Sequence, residues 1–250
     1  MADHPLFVVS DVHGYRDDLA AGLRDAGLVD GADQWCGADA RLWLLGDFMD
    51  RGPDGVGVLD LVMSLQDQAP ENVHALMGNH EILALGMKRF PENRFAESWM
   101  INGGLSSDQD ALTPAHLEWL GSLPVLAKVG GYLFMHSDTT GYLGWGDSVE
   151  QVNTTVREVI ESDDAGRYWD VWAQLTSRYH FARLNGPEVV RDLLARLEAA
   201  GIVHGHTIIG SLIDCPSSEV DGPVLYAEGQ VLAIDGGRYD GGPLLVVQLE

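Results

Sequence analysis

The sequence predicts an α/β protein: a central β-sandwich of mixed sheets flanked by helices, with a helical, tryptophan-rich insertion at 90–185. Three observations predict it. Short apolar runs alternate with amphipathic helical patterns over 6–87, as βαβ units with parallel strands require. Gly130-Gly131 separates two further apolar runs and reads as a tight hairpin. Beyond Gly201, turn glycines alternate with β runs and supply strands for a second sheet. The 250 residues hold ample material for a core and read as one domain over 1–250.

Residues 6–10 read as a fully buried strand, and 16–28 carry helical spacing through Leu19, Leu23 and Leu28, with Asp17 and Asp18 favouring the helix start. The strand signal repeats at 41–45 and 73–77, with helical patterns at 56–65 and 81–87. From Phe90 to Asn185 the pattern is mostly helical and holds Trp99, Trp119, Trp145, Trp169 and Trp172, which read as core. The hairpin at 125–135 interrupts it and delivers His136. Pro187 and Gly201 bracket a helix over 188–200. A strand at 202–203 follows and ends in His204-Gly205-His206-Thr207; strands at 231–234 and 244–249 complete the chain.

Fifteen basic residues stand against 38 acidic ones, a formal charge of −23 that repels nucleic-acid phosphate and argues against nucleic acid as a partner. Cys36 and Cys215 make no disulfide framework, and neither has the arginine six residues on that a cysteine-nucleophile phosphatase loop needs. No stretch approaches eighteen apolar residues and no basic flank opens the chain, so the sequence predicts a soluble, cytoplasmic protein without a membrane partner. Nothing in the sequence specifies an oligomeric state.

The chemistry lies in Asp11-Val12-His13-Gly14, Gly46-Asp47-Phe48-Met49-Asp50-Arg51-Gly52 and Gly78-Asn79-His80-Glu81, each placed after an apolar run and before an amphipathic one. Side chains at the carboxyl ends of neighbouring strands converge where open α/β sheets gather ligands. With His136 and His206, the donors Asp11, His13, Asp47 and Asn79 offer carboxylate, amide and imidazole atoms without thiolate. That set suits two divalent ions, manganese first, with iron or zinc as alternatives. Asp47 is placed to bridge them, and a bridging hydroxide would attack phosphorus in line. Arg51 can clamp two phosphate oxygens, His80 can protonate the departing oxygen, and Asp50 can orient that imidazole.

These motifs resemble those of the phosphoprotein phosphatase family of calcineurin-like metallophosphoesterases, in its compact bacterial and phage-type branch. The resemblance covers nearly the whole chain. It implies Asp11 and His13 on the first metal, Asp47 bridging, and Asn79, His136 and His206 on the second. It makes His80 and Asp50 an acid pair and Arg51 a phosphate ligand, and it asks for a second arginine between the late histidines. Arg178 is preferred there and Arg183 competes with it. The chain departs from the family at His136-Ser137-Asp138, where a glycine usually takes the third place, so Asp138 is a candidate carboxylate for the pocket rim.

His204 competes with His206, whose Gly-His-Thr context favours it, while His74, His116 and His180 read as structural or exposed. The acidic run at 161–164 reads as a solvated loop. The expected activity is hydrolysis of phosphate monoesters on phosphorylated protein or a small molecule. A symmetrical dinucleoside tetraphosphate hydrolase is the alternative: it shares Arg51-Gly52-Pro53, whereas Glu81 and Thr207 stand where that branch carries GNHD and GHW. A non-catalytic, partner-binding member is the third reading, although no ligand is lost.

Overall fold

The computed structural model describes residues 4–249. In chain order the elements are β1 (Leu6–Val9), α1 (Arg16–Asp25), β2 (Arg41–Leu44), α2 (Gly55–Gln68), β3 (Val73–Ala75), α3 (Asn79–Arg89), α4 (Phe95–Ile101), α5 (Ser106–Ala111) and α6 (Pro114–Ser122). Then come β4 (Leu126–Val129), β5 (Tyr132–Met135), α7 (Val149–Glu161), α8 (Ala165–Thr176), α9 (Gly186–Arg196), β6 (Gly201–His204), α10 (Ile209–Ile213), β7 (Val224–Tyr226), β8 (Val231–Ala233) and β9 (Val247–Leu249). They form two mixed sheets, ordered β3-β2-β1-β9 and β4-β5-β6-β8-β7.

Side-chain alternation along a strand builds the layers. Leu6 and Val8 of β1 pack with Phe134 and Val203 of the other sheet, whereas Phe7 and Val9 join the helical core with Leu19, Leu23 and Val58. Strands β1, β2 and β3 are parallel, as are β5, β6 and β8, so both sheets bring carboxyl ends to one edge. Gly130 and Gly131, both at positive φ, turn the β4–β5 hairpin where the sequence predicts it.

Several boundaries differ from the expected ones. Helix α1 stops at Asp25 because Gly27 adopts φ +71°, and the Leu28 amide then bonds back to the Leu23 carbonyl. The expected strand at 244–249 shortens to β9 and does not enter the second sheet. It adds antiparallel to β1, with Leu6 opposite Leu249, which lets Leu249 fill the inter-sheet layer. Strand β7 and helix α10 have no counterpart among the predicted elements. Among the described residues, no helix is long and apolar enough to cross a membrane.

Gly46 follows β2 at φ +95°, and a Cβ there would lie 2.5 Å from the Gly78 nitrogen. The turns after β2 and β3 approach each other at this point. Gly46→Ala is therefore expected to destabilise the protein by about 2 kcal/mol or more, read as a lowered urea midpoint. An unchanged midpoint would show that the turns can separate freely.

Candidate metal centre

The turns after β1 and β2 are laced together by three backbone bonds: Asp11 N to Gly46 O at 3.1 Å, His13 N to Asp47 O at 2.9 Å and Gly14 N to Phe48 O at 2.8 Å. They hold Asp11, His13, Asp47, Asp50 and Arg51 at φ between 45° and 66°, and His206 after β6 sits at φ 62°. Each such residue costs on the order of 1–3 kcal/mol, and concentrated strain of this kind marks a functional constraint. Asn79 and His80 open α3 behind β3, and His136 and His206 follow β5 and β6.

Ligand-competent atoms of Asp11, Asp47, His136 and His206 lie within 4.8 Å of one another, and so do those of His13, Asp47 and His80. Asp47 belongs to both groups. Its Oδ2 is 3.5 Å from His13 Nε2, while its Oδ1 is 3.4 Å from His136 Nε2 and accepts the His80 amide at 3.1 Å. Asn79 Oδ1 is 3.0 Å from His136 Nε2. Asp11 uses Oδ2 to accept from Ser10 Oγ and the His206 amide, at 2.5 and 2.7 Å, which leaves Oδ1 toward His13. Gly205 permits this packing, since a Cβ there would collide with Ser10 Oγ and Asp11 Oδ2.

Backbone carbonyls fix the imidazoles. His13 Nδ1 donates to Met49 O at 3.0 Å, leaving the Nε2 lone pair to accept from Arg51 Nη1 at 2.9 Å. His136 Nδ1 donates to Leu45 O at 2.9 Å, so Nε2 faces the shared carboxylate. His206 Nε2 lies 3.0 Å from both the Thr176 carbonyl and Arg178 Nη2, an acceptor and a donor that compete to set which ring nitrogen carries the proton. Burial, reinforced by Arg51 at His13 and by His136 and Arg178 at His206, holds both imidazoles well below their ordinary range. They are neutral, as ligands must be.

Burial also pulls on His136, but the Asp47 carboxylate outweighs it and raises this imidazole to about 9; the same pair holds Asp47 well below the carboxylate range. Burial pushes Asp11 up against the pull of His136. Asp235, after β8, is raised well above its ordinary value by burial and by Asp11, and its Oδ2 has no partner among the described residues. So much buried carboxylate, with oxygen and nitrogen donors and no thiolate, is the environment a pair of divalent cations compensates. The cluster fits the group that the motifs imply.

A pH dependence follows for the metal-free protein. His136 has its ordinary value of 6.5 unfolded and about 9 folded, so the stability it contributes is complete below pH 6.5 and lost as pH rises through 9. Urea unfolding of chelator-treated protein is expected to show a fall on the order of 3 kcal/mol across that window. A flat profile would remove the protonated pair.

His80 is fully buried, with Nδ1 2.7 Å from Asp50 Oδ2 and Nε2 without a partner among the described residues. Asp50 is held in turn: Trp99 Nε1 and the Leu105 amide donate to its Oδ1 at 3.0 and 3.2 Å, and its own amide donates to Asp108 Oδ2 at 2.9 Å. Arg51 is anchored by Asn102 O at 3.1 Å and covered by the Tyr239 ring, 4.0 Å from its centroid. Arg178 Nη2 comes within 3.0 Å of His206 Nε2, whereas Arg183 is exposed, with its charge beside His180.

Asp108, Tyr239 and Asp235 were not singled out by the sequence, and Trp99 was read only as core, because each meets the site through contacts no local pattern announces. Glu81 was read only as a mark of the branch. It is fully buried, and its carboxylate accepts the amides of Asp47, Phe48 and Gly78 at 2.8, 2.9 and 2.8 Å. A capping-box glutamate at the third position of α3 was the available signal. His204 is not presented to the cluster: Nδ1 bonds Gly205 O at 2.7 Å and Nε2 bonds Tyr226 Oη at 2.8 Å. Asp138 lies fully buried rather than on the rim.

Among curated proteins, a serine/threonine-protein phosphatase of Caenorhabditis elegans, C23G10.1, is 25% identical over 216 residues, 83% of this chain and 44% of that protein. A symmetrical bis(5'-nucleosyl)-tetraphosphatase of Aromatoleum aromaticum is 33% identical over 177 residues, 67% of this chain and 56% of that protein. The chain thus spans about half the length of these relatives. Among solved structures, the cold-active protein-tyrosine phosphatase of a psychrophilic Shewanella species superposes with a TM-score of 0.75 at 23% identity, covering 99% of this chain and 75% of that one, which establishes the shared fold. Residues 4–210, which carry the three acidic turns, the hairpin histidine and the Gly205-His206 turn together, match the model of the calcineurin-like phosphoesterases, and the chain belongs to that family.

Proposed function

We propose that this chain hydrolyses phosphate monoesters, on a protein or a small molecule, using two divalent cations, manganese in the first instance and iron or zinc as alternatives. The observation that carries the reading is the Asp47 carboxylate, with Oδ2 3.5 Å from His13 Nε2 and Oδ1 3.4 Å from His136 Nε2. Asp11 and His13 would hold one cation, and Asn79, His136 and His206 the other. Bound there, the pair would supply Lewis acidity and activate a water.

The remaining steps belong to the side chains. Arg51 and Arg178 bind the phosphate oxygens from two sides, and Arg51 is oriented by Asn102 and Tyr239 before substrate arrives. His80 gives its Nε2 proton to the departing oxygen, while Asp50 holds Nδ1 and keeps the ring aimed. Trp99 and Leu105 fix Asp50, so the helical stretch over 90–185 shapes the pocket directly. No covalent phosphoenzyme is required.

A second reading, a symmetrical dinucleoside tetraphosphate hydrolase, is favoured by the Aromatoleum aromaticum relative. One assay series separates the possibilities. Metal-dependent release of nitrophenol from p-nitrophenyl phosphate, abolished by chelator, is expected; none under any divalent ion would favour a binding protein. Phosphotyrosine and phosphoserine peptides against diadenosine tetraphosphate then divide the phosphatase from the hydrolase.

A further inference from the structure

Resting on the reading of Arg178 as a phosphate ligand, we propose that Asp138 is a positioning residue, a brace that locks the Arg178 segment to the His206 turn. Arg178 stands in a stretch between α8 and α9 that has no regular structure, and a long guanidinium side chain there would sample many positions. Its neighbour Tyr179 is fixed at φ 66°. What fixes it is Asp138: Oδ2 accepts the Tyr179 amide at 2.7 Å, and Oδ1 accepts the Thr207 hydroxyl at 2.5 Å.

One fully buried carboxylate thus spans the residue after Arg178 and the residue after His206. The backbone repeats the tie, since the His180 amide donates to Asp138 O at 3.1 Å and the Thr140 amide donates to His180 Nδ1 at 3.1 Å. A glycine, usual at this place in the family that the motifs resemble, has no carboxylate to offer. The brace therefore belongs to the departure His136-Ser137-Asp138 itself. Orientation set before binding spares the loop its ordering cost when phosphate arrives.

The test uses the metal-loaded chain and inorganic phosphate as an inhibitor of p-nitrophenyl phosphate hydrolysis, with Asp138→Asn, Thr207→Val, Arg178→Ala and the Asp138→Asn/Arg178→Ala double variant. Asn keeps the size but loses the charge, and its amide nitrogen can only donate, so the Thr207 hydroxyl must turn to accept and the charge-assisted strut is lost. Arg178→Ala is expected to weaken phosphate inhibition and raise KM by about 10-fold or more. Asp138→Asn is expected to move both in the same direction by roughly 3- to 10-fold, with two metals still bound. Thr207→Val, which cuts one strut, should move them less. In the double variant the losses should not multiply, staying within about 2-fold of Arg178→Ala alone.

If Arg178→Ala leaves phosphate inhibition unchanged, the reading of Arg178 fails and the brace with it. If Arg178→Ala is impaired while both brace variants inhibit normally, or if the double variant shows the full product of the single losses, the brace alone is overturned. Loss of metal in both brace variants overturns it too, assigning Asp138 to the support of His136 and His206. Should Asp138→Asn not fold, Thr207→Val decides between these outcomes.

Discussion

Asp47→Asn is expected to lower bound metal from about two ions per chain to one or fewer, and to cut hydrolysis by at least about 10³-fold. Asparagine keeps the shape and one carbonyl oxygen but removes the charge and the second anionic donor. Because Oδ2 faces His13 and Oδ1 faces His136, donors assigned to different ions, the change reaches both, whereas loss of His13 or His206 would reach one. Metal analysis after dialysis and turnover at saturating manganese measure it. A second consequence separates this account from simple misfolding. Without the Asp47 charge His136 has lost the main group that raises it, so the stability decline of the metal-free protein between pH 6.5 and 9 should vanish in the variant. Two bound ions with ordinary turnover would remove Asp47 from the bridge.

His80→Asn is expected to separate binding from proton transfer. The His80 ring meets Asp50 through Nδ1, and its backbone amide, which the substitution preserves, donates to Asp47 Oδ1. Metal content should therefore stay at the level of the parent chain. Turnover of an alkyl phosphate, whose oxygen must be protonated as it departs, should fall by about 10² to 10⁴-fold. Nitrophenolate leaves readily without a proton, so p-nitrophenyl phosphate should be far less affected. Asp50→Asn should show the same ordering of substrates with smaller losses, since it disorients the ring without removing it. Equal rates for both esters in His80→Asn would mean that the proton comes from elsewhere.

The parts of the site that could be read from the chain are those whose partners sit in one short segment. Asp11 with His13 and Asp47 with Asp50 and Arg51 each occupy a single strand-end turn, and Asn79 with His80 opens one helix, so sequence order already fixes their approximate placement. The Gly-His-Thr context already favoured His206 over His204, and the fold supplies the physical reason: β6 ends at His204, and the turn at Gly205 carries only the next histidine toward the cluster. Trp99 was rightly read as buried, but its bond to Asp50 spans 49 positions and leaves no local trace. Tyr239 over Arg51 and Asp108 under Asp50 belong to the same class. Strand β9 was legible as a strand, while its partner was decided by which layer needed Leu249.

The donors are divided between the two sheets, with Asp11, His13, Asp47 and Asn79 at the ends of one and His136 and His206 at the ends of the other. Cations seated among them would act as a clasp across the sandwich, with part of their affinity spent on keeping its halves shut. Starvation for metal would then silence this chain and, in the same stroke, loosen it toward proteolysis, tying its lifetime in a cell to the supply of the ion it binds.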